Sequence, residues 1–349
     1  MRILLTLLIL VYCSMQLAAQ EIVAHERIAE KGYRFWLYTP PSITQTPDTR
    51  RQAKPLIIFL HGASLCGNNL SRVLNYGPLD AVRRGREIDA YVVAPQNPGG
   101  SWIPSKVMDI VDWAAKQHNT IDTDRLYVVG MSLGGYGTLD LAAMYPDRVA
   151  AAIGMCGGST RKDVSGLCQV PLWIIHGTAD RDVPIKNSDY VVDNLKRTGG
   201  TDRLIYTRLK GGNHGTPARV FYMKKTYEWL FKHRLSDEGR RLNQDYSIDM
   251  NDIKNAYADI HQRDRSKVTV INQLTGQTAT AKKSNTKGNT TVAAAPETDA
   301  SGASYHTIRQ GDNLWTLARK YGTTVKKLQE LNQLSDGAKL QLGKKLRIK

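Results

Sequence analysis

Seven short runs of apolar and β-branched residues, spread over residues 33–209, constrain this chain more than any other feature. They read YRFWLYTP, PLIIFLHG, AYVVAPQ, RLYVVGMS, AAAIGMCG, PLWIIHG and LIYTRL. Among and after them lie stretches with helical spacing of apolar residues: LDAVRRG, VMDIVDWAAKQ, YGTLDLAAMY, SDYVVDNLKR and FYMKKTYEWLFKH. A continuous apolar run is a strand covered on both faces, and an intervening helix supplies the crossover that parallel strands need. The predicted fold class is therefore α/β, a doubly wound and mostly parallel sheet, occupying residues 21–235.

A chain of 349 residues exceeds one average domain, so the remainder calls for its own reading. Residues 1–20, MRILLTLLILVYCSMQLAAQ, join a basic start at Arg2 to an apolar stretch and a small-residue region, as in a secretory signal peptide. That stretch is too short to span a bilayer, and no transmembrane anchor is expected once it is cleaved. A lipoprotein anchor at Cys13 is the competing reading. Export would leave Cys66, Cys156 and Cys168 in an oxidising compartment, with Cys156–Cys168 as a candidate pair and three free thiols as the alternative. No spacing of a structural zinc site occurs, so no metal is expected. Residues 236–303 are polar and predict a flexible linker, with one stretch of helical character, LNQDYSIDMNDIKNAYADIHQ, ahead of TATAKKSNTKGNTTVAAAPETDASGAS, which is rich in Thr, Ala, Ser, Asn, Gly and Lys without apolar periodicity.

Residues 304–349 regain periodicity. Asp312 can cap a helix carrying Leu314, Leu317, Ala318 and Tyr321, which Gly322 can end; Thr324 can cap a second one carrying Val325, Leu328 and Leu331. With short strands at YHTI and KLRIK, the pattern predicts a small α+β unit of β-α-α-β order.

The candidate chemistry begins at GMSLGGYG, residues 130–137, directly behind a strand-like run. A G-x-S-x-G between strand and helix places Ser132 on a strained turn, its hydroxyl exposed at the carboxyl edge of the sheet. A serine hydroxyl needs a base, and the base needs an orienting acid. Downstream, WIIHGTADRDVP offers Asp180 and Asp182 at one strand end, and LKGGNHGTP offers His214 at another. Leu133, following the serine, is placed to direct a backbone N–H at an oxyanion. His61 and His176 each precede a glycine at a strand end, where a packed or hydrogen-bonding role is expected. His118 and His233 fall at helix ends and are expected at the surface.

H-G-x-x-D-x-x-V-P at His176–Pro184 and G-x-x-H-G at Gly211–Gly215 resemble the esterase and thioesterase branch of the α/β-hydrolase superfamily, over about residues 33–234. The resemblance implies a serine hydrolase with Ser132, Asp180 and His214 as its catalytic set and no cofactor. It also implies that HGAS supplies the second oxyanion donor, at Ala63 with Ser64 next. Only CGGSTRKDVSGLCQ stands where lipase-like members insert a lid, so an open site is expected. The loop APQNPGGSWIP resembles that of carbohydrate esterases and predicted-peptidase relatives, which would put Trp102 at the substrate rim; a core tryptophan is the alternative.

The pattern Y-x-x-x-x-x-G-D-x-L-W-x-L-A at Tyr305–Ala318, continued through L-x-x-G-x-x-L-x-I, resembles a lysin motif (LysM) domain. Such a resemblance implies binding of peptidoglycan or chitin-type glycan through Gly311, Asp312, Asn313 and Leu314, with Asn332 to Leu334 opposite. For Asp312 and Leu314 a helix cap and a core position are the alternatives. Residues 305–349 hold ten Lys or Arg against three acids, within a chain of net charge +16, so the unit favours an anionic surface. No base-stacking or helix-turn-helix signature points to specific nucleic-acid binding. Together these readings predict an exported esterase, periplasmic, at the cell surface or secreted, that deacylates a carbohydrate ester. A serine peptidase of the same fold, and a glycan-binding protein with an inactive hydrolase unit, are the alternatives.

Overall fold

The computed structural model describes residues 20–41, 53–242, 246–260, 268–275, 277–279, 297–298, 303–308, 314, 317–318, 321–334 and 340–348. Residues 1–19 of the expected signal peptide, and Gly311, Asp312 and Asn313, lie outside the described residues, while Gln20 opens the first strand.

The seven apolar runs form β2 (Arg34–Thr39), β3 (Lys54–Leu60), β4 (Tyr91–Gln96), β5 (Ile121–Met131), β6 (Ala151–Met155), β7 (Leu172–Gly177) and β8 (Leu204–Leu209). They are joined by β1 (Gln20–His25), β9 (Val268–Asn272) and β10 (Gln277–Ala279) in one sheet, ordered β10-β9-β1-β2-β4-β3-β5-β6-β7-β8. From β4 to β8 every neighbouring pair is parallel, while β2 is antiparallel to both β1 and β4. Alternate residues of each strand enter opposite cores: Ile57 and Phe59 on one face, Leu56, Ile58 and Leu60 on the other. Helices α1 (Pro78–Arg83) and α5 (Lys224–Leu230) cover the first face. The second is covered by α2 (Pro104–Gln117), α3 (Leu133–Met144) and α4 (Lys186–Arg197). Helix α3 sits at the middle of the sheet and is apolar on nearly its whole circumference because β5, β6 and neighbouring helices enclose it.

The polar stretch after residue 235 is not a linker throughout, which corrects the expected boundary. Ile248, Ile253, Ala256 and Ile260 are buried in the first core, and β9 pairs in parallel with β1. Arg86, nearly buried, donates to the Tyr222 carbonyl and pairs with Asp259, which clamps this segment to the sheet domain. The helical character expected within LNQDYSIDMNDIKNAYADIHQ appears as the short helix Met250–Lys254, but four apolar residues among Asp, Asn and Lys did not reveal that the stretch packs on the sheet domain. Within residues 236–303, 243–245, 261–267, 276, 280–296 and 299–302 lie outside the described residues.

In the C-terminal unit, Ser304–Thr307 pairs antiparallel with Lys345–Arg347, and Glu297–Thr298 adds a third strand. The helix Val325–Asn332 begins at Thr324, whose hydroxyl accepts the Lys327 N–H at 3.0 Å. Leu317, Ala318, Leu328, Leu346 and Ile348 form the core, with Leu314 and Leu334 packed against it. Asn332 was expected to face a glycan. Its amide instead donates to the Leu328 and Arg347 carbonyls and accepts the Arg347 N–H, so its hydrogen-bonding capacity is spent on joining helix to strand.

Candidate active site

Ser132 stands between β5 and α3 with φ 59° and ψ −122°, a conformation that an L-residue holds only when its surroundings impose it. The imposition comes from glycine contacts. A Cβ on Gly134 would lie 1.7 Å from the Leu60 carbonyl oxygen, and one on Gly130 would lie 2.3 Å from the Gly134 carbonyl oxygen. The turn is thus wedged against β3 and against its own helix. Gly134→Ala is expected to cost about 3 kcal/mol or more by overpacking, seen as a large fall in Tm; an unchanged Tm would refute this account of the turn.

The carboxyl ends of β7 and β8 bring the other two groups to the same edge. Ser132 Oγ lies 2.9 Å from His214 Nε2, and His214 Nδ1 lies 2.7 Å from Asp180 Oδ2. With Asp180 accepting at Nδ1–H, Nε2 is left as the acceptor for the serine proton; the tautomer is assigned from these partners. Asp180 Oδ1 accepts the N–H groups of Asp182 and Val183, both at 2.9 Å. Burial pushes the Asp180 carboxyl up, yet the His214 hydrogen bond and the Val183 N–H outweigh it and hold the group below the ordinary carboxylate value. Asp180 is therefore charged wherever an imidazole titrates. Asp182 is exposed and donates its main-chain N–H to Asp180 Oδ1 in this turn.

Beside Ser132, Ala63 opens a single turn of 3-10 helix and Leu133 opens α3. Neither N–H has an acceptor among the described residues, as the first positions of helical turns require. A Cβ on Gly62 would lie 3.3 Å from Ser132 Cβ, which fixes how closely this loop approaches the serine. The loop is held from behind by three groups. Tyr76 Oη accepts the Gly62 N–H at 2.6 Å, and Arg72 bonds the carbonyls of Ser64 and Cys66. His61 Nδ1 donates to the Gly62 carbonyl at 2.8 Å while its Nε2 accepts the Asn97 N–H at 3.0 Å. Burial pushes His61 down to about 4, so it stays neutral and keeps both bonds. No local pattern announces Tyr76 or Arg72.

Trp102 is not at the rim. It is 4% exposed, its indole N–H donates to the His61 carbonyl at 3.1 Å, and its ring meets Tyr33 and His61 edge-on. The tryptophan props up the loop bearing Ala63 from inside the core, in space that Gly137 leaves open. Cys156 and Cys168 are both free, as is Cys66. Cys156 is buried against the His214 carbonyl, whereas Cys168 packs on Gly200, so the two face different neighbours. His233, expected at the surface, is buried against Trp229.

The model of the alpha/beta hydrolase fold family matches residues 55–250. The chain belongs to that family. A LysM domain is matched over residues 306–349. This hydrolase resembles a solved structure described as a thermostable esterase, at 27% identity and a TM-score of 0.50, over 61% of this chain and 63% of that one. It is 28% identical over 172 residues to the hydrolase acrC of Aspergillus aculeatus, covering 46% of this chain and 39% of that protein. It is also 42% identical over 57 residues to the N-acetylmuramoyl-L-alanine amidase sle1 of Staphylococcus aureus, covering 16% of each. The hydrolase thus spans well under half the length of these two curated relatives. Among its described residues no helix is long and apolar enough to cross a membrane.

The row Ser132–His214–Asp180 can deliver a hydroxyl to a carbonyl carbon, and the two unpaired N–H groups can receive the oxygen that becomes negative.

Proposed function

We propose that this hydrolase is an exported serine esterase that removes acyl groups from a carbohydrate, held at a glycan surface by its LysM domain. The observation that carries the reading is the hydrogen-bonded row Ser132–His214–Asp180 beside the free N–H groups of Ala63 and Leu133. Ser132 attacks the ester carbonyl as His214 takes its proton; His214 then returns the proton to the departing sugar hydroxyl, and a water repeats the sequence on the acyl-enzyme. The likeness to a thermostable esterase favours ester over amide. The short connection between β6 and β7 leaves the serine without a lid-sized insertion and suits an acyl group carried on a polymer better than a long buried lipid chain. Lys162, Arg181 and Lys210 stand exposed on the loops that carry this edge and Lys186 at the start of α4, outnumbering the exposed Asp163 and Asp182 beside them. Their field draws an anionic carrier. A fluorophosphonate label followed by a panel of acetyl and aryl esters against aminoacyl anilides tests the reaction class: labelling at Ser132 with turnover of esters only is expected, and turnover of anilides only would replace the esterase by a peptidase.

The LysM proposal has its own test. Truncation before residue 304 is expected to leave turnover of small soluble esters unchanged and to reduce both pull-down by insoluble peptidoglycan or chitin and release of acyl groups from an acylated insoluble glycan. Repeating the pull-down at about 0.5 M salt, where the Debye length is roughly 4 Å, removes simple charge attraction. Binding that vanishes with salt alone would make the domain an electrostatic anchor and refute glycan recognition.

A further inference from the structure

Asp180 carries a second histidine. His176 is fully buried at the end of β7, and its Nε2 lies 2.9 Å from the Val183 carbonyl and 3.3 Å from Asp180 Oδ2. This is the same oxygen that accepts His214 Nδ1–H. Both neighbours of Nε2 are acceptors, so the ring proton is assigned there. On its other side Nδ1, left as an acceptor, lies 2.7 Å from Ser188 Oγ in the first turn of α4 and takes its hydroxyl proton; that one proton then does not serve the Gly157 carbonyl, 2.7 Å from the same oxygen. The ring therefore ties the turn that holds Asp180 to α4. Cys156, His176 and Asp180 approach within 4.8 Å of one another, a spacing that would suit a metal. Here Asp180 Oδ2 and His176 Nε2 are already matched to His214 and Val183, and the cluster is satisfied as a hydrogen-bonded unit.

We propose that His176 is a positioning residue for the Ser132 reaction: its Nε2–H, shared between the Val183 carbonyl and Asp180 Oδ2, fixes the carboxylate that orients His214 and holds part of its charge. The proposal rests on Ser132, His214 and Asp180 acting as the hydrolytic set. Two backbone N–H groups anchor Oδ1, the Cys156 thiol also hydrogen-bonds the carboxylate, and His176 Nε2–H is the ring donor that shares Oδ2 with His214. Burial keeps the His176 ring neutral, against the pull of the Val183 carbonyl and Asp180, so the ring acts as a fixed donor and is not the titrating base. The other titratable groups facing it are His214 and the Cys156 thiol, which burial pushes up and keeps protonated. Removing the Nε2–H concentrates charge on the side facing His214 and strengthens its hold on the protonated ring. The acid limb of kcat/KM must then move to higher pH.

The experiment measures kcat and KM against pH on a small soluble ester for His176→Phe, His176→Gln and Ser188→Ala, with fluorophosphonate labelling of the unmodified enzyme as the reference. His176→Phe is expected to lower kcat about 10- to 100-fold, the usual range for groups that orient a reacting residue, with KM unchanged within about twofold because the ring is buried away from substrate. Its acid limb should rise by about half a pH unit. Glutamine can present an N–H at the Nε2 position, so His176→Gln should recover most of kcat and return the limb. A folded His176→Phe with unmodified kcat and limb overturns the proposal, and so does a His176→Gln as poor as the phenylalanine variant. Should His176→Phe fail to fold, Ser188→Ala decides: a loss of about 3- to 10-fold with the same limb movement is expected, and an unchanged profile overturns it. Failure of the unmodified enzyme to label at Ser132 would instead sink the reading of the reaction on which the proposal stands.

Discussion

Ser132→Ala is expected to abolish fluorophosphonate labelling and to lower turnover of a small ester by a factor on the order of 10⁴ to 10⁶. The size follows from the row acting as a unit: without Oγ there is no nucleophile for His214 to activate, and the free N–H groups of Ala63 and Leu133 have no tetrahedral species to receive. The fold should be untouched. Serine already places a Cβ at φ 59°, and alanine adds no new atom to the turn. His214→Ala should cost nearly as much, and the double variant little more than the worse single one, because each change disables the same step. A Ser132→Ala enzyme that kept more than a tenth of the rate, with Tm unchanged, would show that hydrolysis proceeds elsewhere.

Asp180→Asn is expected to lower kcat by about 10³- to 10⁴-fold, whereas Asp182→Asn should stay within about twofold, as exposed substitutions do. The difference comes from the two backbone N–H groups on Asp180 Oδ1. They demand an oxygen at that position, so the amide nitrogen of an asparagine is forced to the Oδ2 position, facing His214 Nδ1 and His176 Nε2. Two donors cannot face each other. His214 then turns to the tautomer protonated on Nε2, which cannot accept from Ser132. Turnover at about pH 8, above the range in which a histidine base is lost to protonation, is the measurement. The reverse ranking of the two variants would move the acid to Asp182.

Most of the sheet domain was readable because burial on both faces writes itself into local sequence. An enclosed parallel strand must be apolar at every position, and a turn wedged against a neighbouring carbonyl, as at Gly134, admits only glycine. The chain order of Ser132, Asp180 and His214, each at a strand end, was legible for the same reason: parallel topology sends every such end to one edge. Asp180 was separated from Asp182 by family resemblance, and the hydrogen bond to His214 supplies the physical ground that composition lacked.

Other features stayed hidden because they depend on contacts between residues distant in the chain. Arg86 and Asp259 are 173 positions apart, and nothing near either one announces that residues 246–260 belong to the core. Trp102 reads equally well as rim or interior until its indole is found on the His61 carbonyl, and Asn332 reads as a binding amide until Arg347 is found to use it. Strand runs, the serine turn and the helix cap at Thr324 are dictated by interactions within a few residues, so the amino-acid order alone specifies them. Which polar atoms remain free to act, and which are consumed in holding a loop, is settled by partners that only folding brings within hydrogen-bond distance.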